Sequence, residues 1–128
     1  MSRKNVFSYQ ILPNLTSLSA GFVSNPTVVR NLDNVAYQIN VTTTNSVGSF
    51  TVEASLDYAI NESTNTVTNA GNWITLTLAG GTPTVNAANT NILIDLNQLP
   101  FEAVRLRYTS TTAGTGTCNG YVMGRMVG

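Results

Sequence analysis

Large apolar and polar residues alternate in the segment Val47–Tyr58, whose sequence is Val-Gly-Ser-Phe-Thr-Val-Glu-Ala-Ser-Leu-Asp-Tyr. The two faces that this alternation defines are Phe50, Val52 and Ala54 on one side, and Thr51, Glu53 and Ser55 on the other. A period of two residues is that of a β-strand in a sheet that is packed on one side only. We therefore expect a half-buried strand that ends at an Asp57-Tyr58 turn.

The same period recurs along most of the chain. The strongest inward face is formed by Val35, Tyr37, Ile39 and Val41. The segment from Thr43 to Gly48 then provides a turn into the Phe50 strand, which predicts an antiparallel hairpin between the two strands. Further strands are predicted at Leu15–Val23, Pro26–Asn31, Trp73–Leu78, Ile92–Leu96, Val104–Tyr108 and Thr117–Val127.

Turn residues separate these strands. The stretch Asp57–Asn72 is rich in Asn, Ser and Thr and poor in large apolar residues, which predicts a long surface loop. Gly120 and Gly124 in the last strand indicate bulges or a close approach of a neighbouring backbone. About eight strands at this spacing, without a helix of useful length, predict an all-β fold with an antiparallel sandwich or barrel.

A chain of 128 residues has the size of one domain. We divide it into an N-terminal strand or arm at residues 1–12 and a single β domain at residues 13–128. If the first segment is an arm, Arg3 and Lys4 are free to reach a neighbouring subunit; the alternative is a solvated terminus.

Charge is scarce and balanced, with 6 basic and 6 acidic residues and 9% charged residues. Such a chain has no field that would attract nucleic acid or an anionic membrane surface, and it gains little repulsion against association. No apolar run approaches the ~20 residues that span a bilayer. One cysteine excludes an internal disulfide, and the N-terminus lacks the continuous apolar core of a signal peptide. We expect a soluble protein of a reducing cytoplasm that becomes part of an assembly.

Residues for catalysis are nearly absent. There is no histidine, the commonest general base and metal ligand. Glu53 and Asp57 are close together in sequence and are not expected to form a glycosidase pair, which would have to come from residues distant in sequence. Asp57, Asn61 and Glu62 offer oxygen ligands for Ca²⁺, but a turn-capping Asp57 is favoured. Cys118 is expected to be a small buried residue rather than a nucleophile. We therefore expect no enzyme and no cofactor or metal.

Three other side chains allow two interpretations each. Trp73 is either a core anchor, which we favour, or a platform on which a sugar stacks. Arg105 and Arg107 share one strand face, and they pair either with Glu53 across the sheet or with carboxylates across a subunit interface.

Several segments, taken in order, resemble small virion structural proteins of tailed bacteriophages, which are often head or decoration proteins. These segments are Gly48-Ser-Phe-Thr-Val-Glu-Ala-Ser-Leu-Asp57-Tyr58, Asn72-Trp73-Ile74, Leu96-Asn-Gln-Leu-Pro-Phe101, Val104-Arg105-Leu106 and Gly114-Thr-Gly116. The resemblance covers Asp33 to the C-terminus. It implies a jelly-roll-like sandwich without catalytic residues that attaches to the outside of a capsid, commonly as a trimer.

The resemblance thus predicts a capsid decoration protein that stabilises the shell, with the major capsid protein and its own copies, as a homotrimer, for partners. It would be assembled into the virion in the cytoplasm of the bacterial host. We expect Arg3, Lys4, Arg105 and Arg107, or the loop Asp57–Asn72, to make the contacts. The alternatives are a tail, collar or connector component and a glycan-binding adhesion module that uses Trp73.

Overall fold

The computed structural model describes residues 6–43, 45–87, 91–97 and 99–126. All regular structure within these ranges is β-strand, which confirms the all-β prediction. The strands are β1 (Val6–Ser17), β2 (Phe22–Val23), β3 (Thr27–Val28), β4 (Leu32–Thr42), β5 (Val47–Ser55), β6 (Ala59–Asn61), β7 (Thr66–Asn69), β8 (Ile74–Thr75), β9 (Thr84–Val85), β10 (Asn91–Leu96), β11 (Ala103–Thr112) and β12 (Thr117–Met126). The described residues contain no apolar helix of membrane-spanning length.

The strands form two antiparallel sheets. Sheet A has the order β1-β12-β4-β10, and sheet B has the order β2-β11-β5-β8. Each edge of sheet B consists of two short strands with a break between them. On one edge β2 and β3 both pair with β11, and on the other β8 and β9 both pair with β5. The strands β6 and β7 pair only with each other, as a separate hairpin.

The strand order is that of a jelly roll. If β2 with β3, and β8 with β9, each count as one position, and the β6–β7 hairpin is an insertion, the two sheets together have eight positions. Sheet A then reads 1-8-3-6 and sheet B reads 2-7-4-5. This interleaving of two Greek keys is the jelly-roll topology, so the predicted jelly-roll-like sandwich of about eight strands is confirmed.

The core lies between the two sheets. Tyr37 of sheet A and Phe50 and Tyr108 of sheet B are almost completely buried, and the rings of Phe50 and Tyr108 lie 4.9 Å apart. The predicted apolar faces of β4, β5, β10 and β11 are inside. The buried members include Val35, Ile39, Val41, Val52, Ala54, Ile92, Ile94, Leu96, Val104 and Leu106.

The predicted hairpin between β4 and β5 is wrong. Val41 of β4 pairs with Cys118 in sheet A, whereas Phe50 of β5 pairs with Tyr108 in sheet B. Both strands have one strongly apolar face, and these faces bury more surface across the core than they would side by side in one sheet. The connection is fixed by Ser46, whose hydroxyl donates to the carbonyl oxygen of Ala113 at 2.9 Å.

The N-terminal segment is a strand from Val6 onward. It pairs with β12 along its length, with register shifts on both sides of Leu12. Because β1 continues to Ser17, the strands predicted at Leu15–Val23 and Pro26–Asn31 are reduced to the short β2 and β3. Arg3 and Lys4 lie outside the described residues, and the division at residue 12 stays a prediction.

The two glycines of β12 allow close packing by β1. A Cβ atom on Gly120 would lie 3.1 Å from the Leu12 side chain, and one on Gly124 would lie 2.5 Å from the Phe7 ring. The close backbone approach predicted at these positions is wrong, because side chains of β1, and Leu32 of β4 at Gly124, occupy the space instead.

The outer face of sheet B is partly covered. Glu53 and Ser55 point away from the core, yet they are only 6% and 3% exposed. The segment that follows β5 folds back over them and contains the β6–β7 hairpin where a loop was predicted. The prediction of a half-buried β5 is therefore corrected at its Glu53–Ser55 end, where the polar face is covered as well. The sequence pattern does not show which segment lies over that face.

Candidate interaction surfaces

A clamp closes the base of the β6–β7 hairpin. Asp57 Oδ1 accepts hydrogen bonds from the backbone nitrogen of Asn72 and from the Ser55 hydroxyl, both at 2.8 Å. Asp57 Oδ2 accepts a third from Asn72 Nδ2 at 2.7 Å. These bonds, the one from the Asn72 backbone first, lower the pKa of Asp57. Asp57 therefore caps a turn, as predicted. The described residues contain no group of three His, Cys, Asp or Glu side chains that could hold a metal ion.

We expect an Asp57→Ala substitution to loosen the hairpin without unfolding the sandwich, because the clamp lies outside the core. Amide hydrogen exchange should become faster in residues 59–69 and remain unchanged in β4 and β11. Ser63→Ala, in the exposed tip of the same hairpin, is the control. Unchanged exchange in the hairpin of the Asp57 variant would contradict the clamp.

Trp73 packs on the outer face of sheet B, beside the clamp. Its ring lies 5.6 Å from the Tyr58 ring, and the Arg105 guanidinium carbon lies 4.3 Å from its centroid. The indole nitrogen donates to the carbonyl oxygen of Ala70 at 2.9 Å. Trp73 is half-buried. It lies outside the core between the sheets, which corrects the favoured interpretation, and Arg105 lies over a face of its ring.

Arg105 and Arg107 pair with Glu53. Their Nε atoms donate to the two carboxylate oxygens of Glu53 at 2.7 and 2.8 Å. Burial raises the pKa of Glu53, but hydrogen bonds from Arg107 and Arg105 and their charges outweigh it, and the pKa is lowered. The predicted pairing across the sheet is confirmed. A contact of either arginine with another subunit stays a prediction.

The hairpin offers an exposed surface. All residues from 61 to 70 are exposed, and Glu62 is the one charged side chain among them. Val67, at 57% exposure, adds an apolar group. We call residues 59–69, held at their base by the clamp, the anchored hairpin.

Sheet A has an uncovered outer face on the opposite side of the sandwich. Its outward side chains alternate with the core residues of β1, β12, β4 and β10, and we call it the open face. Leu93, Met123 and Tyr121 are its large exposed residues, at 72%, 53% and 42%. Its charged residues include Asp95 and Arg125, and Arg125 lies 3.5 Å from Asp33. Most of its other side chains are amides or hydroxyls.

The open face was not predicted from the sequence. The available signal was alternation along β12, which puts Tyr121 and Met123 on the face opposite Cys118. The missing information was which strands adjoin β12, since its neighbours β1 and β4 are far away in sequence. Cys118 of the same strand is buried, as predicted, and burial raises the pKa of its thiol to about 11.

The molecule is thus a jelly-roll sandwich with two candidate contact surfaces on opposite sides. It is similar to the SPBc2 prophage-derived protein YomS, with a TM-score of 0.55, 15% identity and 96% of each chain covered. It is also similar to a chain in the structure of infectious bursal disease virus, Gx strain, with a TM-score of 0.51, 10% identity and 98% of this chain covered. This chain covers 32% of that viral chain.

At these identities the similarity establishes a shared fold. No protein-family model matches the sequence, and no curated protein sequence matches it.

Proposed function

We propose that this protein is a non-enzymatic structural component of a tailed-bacteriophage virion, and specifically a decoration protein that binds the outside of the capsid and stabilises the shell. The similarity of its whole fold to a prophage-derived protein and to part of a virus structure supports this role. So does the sequence resemblance from Asp33 to the C-terminus.

The observation that carries the proposal is the anchored hairpin. It is exposed along residues 61–70 and almost uncharged, and the Asp57 clamp and the Trp73 contacts hold its base. A preformed projection loses little conformational entropy on binding, so that a small contact area is used efficiently. We propose that the hairpin contacts the major capsid protein.

Attachment to the capsid would be stronger if several copies of the protein bound together. We propose that the copies associate as a homotrimer, so that three hairpins meet neighbouring capsid subunits and weak contacts combine through their effective concentration. Assembly would take place in the host cytoplasm and end on the virion. Neither nucleic acid nor a membrane is a partner in this proposal.

Co-sedimentation with capsids that lack the protein tests the proposal. A variant with residues 60–68 replaced by a short Asn-Gly turn should keep its circular dichroism spectrum and lose most of its occupancy on capsids. A variant without residues 1–5 tests the contact predicted for Arg3 and Lys4. Arg107→Gln tests the contact predicted for that side chain, whose exposed fraction is 44%.

The outcomes separate the proposals. If only the variant that lacks residues 1–5 loses occupancy, the contact belongs to the N-terminal arm. Full occupancy of the hairpin variant would reject the hairpin contact. If the intact protein does not bind capsids, decoration is wrong. Immunogold labelling of particles would then show whether it is a tail, collar or connector component.

A further inference from the structure

Five amide side chains form a hydrogen-bonded row across three strands of the open face. We call them the amide row; they are Gln10 and Asn14 of β1, Asn119 of β12, and Gln38 and Asn40 of β4. Gln38 Nε2 donates to Asn40 Oδ1 at 3.1 Å, and Asn40 Nδ2 donates to Asn119 Oδ1 at 2.9 Å. Asn119 Nδ2 and Gln10 Nε2 both donate to Asn14 Oδ1, at 3.3 and 2.9 Å.

These bonds fix side chains that would otherwise be mobile on a surface. An amide group has two donor hydrogens and an acceptor oxygen with two lone pairs, so bonds within the row use only part of its capacity. The Gln38 oxygen and the Asn14 nitrogen, for example, take no part in the four bonds of the row. The row thus presents ordered donors and acceptors without any charge.

Tyr121 lies beside the row. The sheet register places it between Gln10 and Gln38, and it is 42% exposed. A depression of about 280 Å³ adjoins its ring. The side chains around this depression include Ser8, Ala36, Gln38, Leu93, Tyr121 and Met123. An aromatic ring, an apolar concave surface and an array of neutral hydrogen-bonding groups therefore meet at one place.

We propose that Tyr121 and the amide row form a binding site for a neutral oligosaccharide. The carbon-bound hydrogens of a sugar ring pack against an aromatic face, and each sugar hydroxyl both donates and accepts, as each amide does. A charged ligand would find no countercharge in the row. The charged residues Asp95 and Arg125 of the open face lie outside the amide row, in two neighbouring cross-strand positions, and they carry opposite charges.

This site differs from the one that the sequence indicated for a sugar. Trp73 carries Arg105 over its ring, whereas Tyr121 lies beside an open depression. The open face also lies opposite the anchored hairpin, so a protein bound to a shell by its hairpin would turn this site outward. Sugar binding does not depend on the proposed attachment, because the isolated protein has the complete site.

Titration of the isotope-labelled protein with maltohexaose, cellohexaose, mannohexaose and chitohexaose, followed by NMR, tests the site. We expect at least one of these neutral hexasaccharides to shift the signals of Tyr121, Asn40 and Asn119 in a saturable manner. Tyr121→Ala should weaken that binding about tenfold, through loss of the aromatic contact. Asn119→Ala, which interrupts the row, should weaken it as well.

Two matched controls should leave binding unchanged. Tyr9→Phe alters another exposed tyrosine, whose hydroxyl bonds to Thr27 away from the row. Val67→Ala alters the anchored hairpin. Absence of shifts with all four sugars would overturn the proposal, and so would shifts centred on Trp73. A self-associated protein that Tyr121→Ala converts to monomers, by light scattering, would identify the open face as a contact between copies instead and would overturn it too.

Discussion

Replacing Glu53 with glutamine should destabilise the protein by about 3 kcal/mol, the lower end of the cost of breaking a buried ion pair. The side chain keeps its volume but loses the charge that two arginines share. Arg105, at 19% exposure, is then left without its partner in a poorly hydrated place. The Arg107 side chain is 44% exposed, so solvent can hydrate it when the ion pair is lost. This keeps the loss of stability at the lower end of the range.

Urea unfolding of the wild type and the variant measures this difference. Asp95→Asn is the matched control, because it removes an exposed carboxylate on the open face, and it should change stability by less than about 0.5 kcal/mol. Equal stabilities of wild type and Glu53→Gln would show that the ion pairs contribute nothing net.

The effect should depend on pH in a defined direction. The pKa of Glu53 is lowered from its usual value of 4.5 on folding. The carboxylate therefore contributes its full stability above that value and loses it as the pH falls through the lower pKa of the folded state. The difference between wild type and variant should be constant near neutral pH and become smaller in acid. A difference that grows on acidification would contradict this assignment.

Replacing Gly48 with alanine should cost about 3 kcal/mol, at the upper end of typical overpacking effects. An added Cβ would overlap the Tyr108 hydroxyl and the backbone carbonyl oxygen of Thr109. Neither neighbour can move easily, because Tyr108 is buried in the core and Thr109 belongs to the central strand β11. Thermal unfolding followed by circular dichroism measures the loss.

Gly80→Ala is the control for this substitution. A Cβ at Gly80 would meet no atom within 4 Å, so the variant should be as stable as the wild type or slightly more so, since alanine restricts the unfolded chain. If both glycine variants have the same melting temperature, the close approach at Gly48 does not constrain the fold.

The two contact surfaces differ because each lies on the outer face of a different sheet. Sheet B carries the β6–β7 insertion, whose base is held by the Asp57 clamp and Trp73, whereas the described residues of sheet A carry no insertion on its outer side. If both proposals hold, the protein attaches through one side of the sandwich and binds sugars on the other. Hairpin variants should then alter capsid occupancy alone, and Tyr121 variants should alter sugar binding alone.

The sequence by itself determined the long central strands and their inward faces. Phe50, Val52 and Ala54, and likewise Val35, Tyr37 and Ile39, are buried as the alternation predicts. This succeeded because a period of two is a local property, set by the backbone of a strand and by the difference between apolar and polar side chains.

Only the tertiary structure decided which strands adjoin each other and what lies on the outer faces. The order β1-β12-β4-β10 depends on packing between distant segments, which alternation does not encode. For the same reason the hairpin predicted from the turn before β5 was wrong, and Gly48 proved to be a strand residue beneath Tyr108. The amide row joins residues as far apart as 14 and 119. Such surfaces are formed by strands that are distant in sequence, so the sequence around each residue does not reveal which side chains lie beside it in the fold.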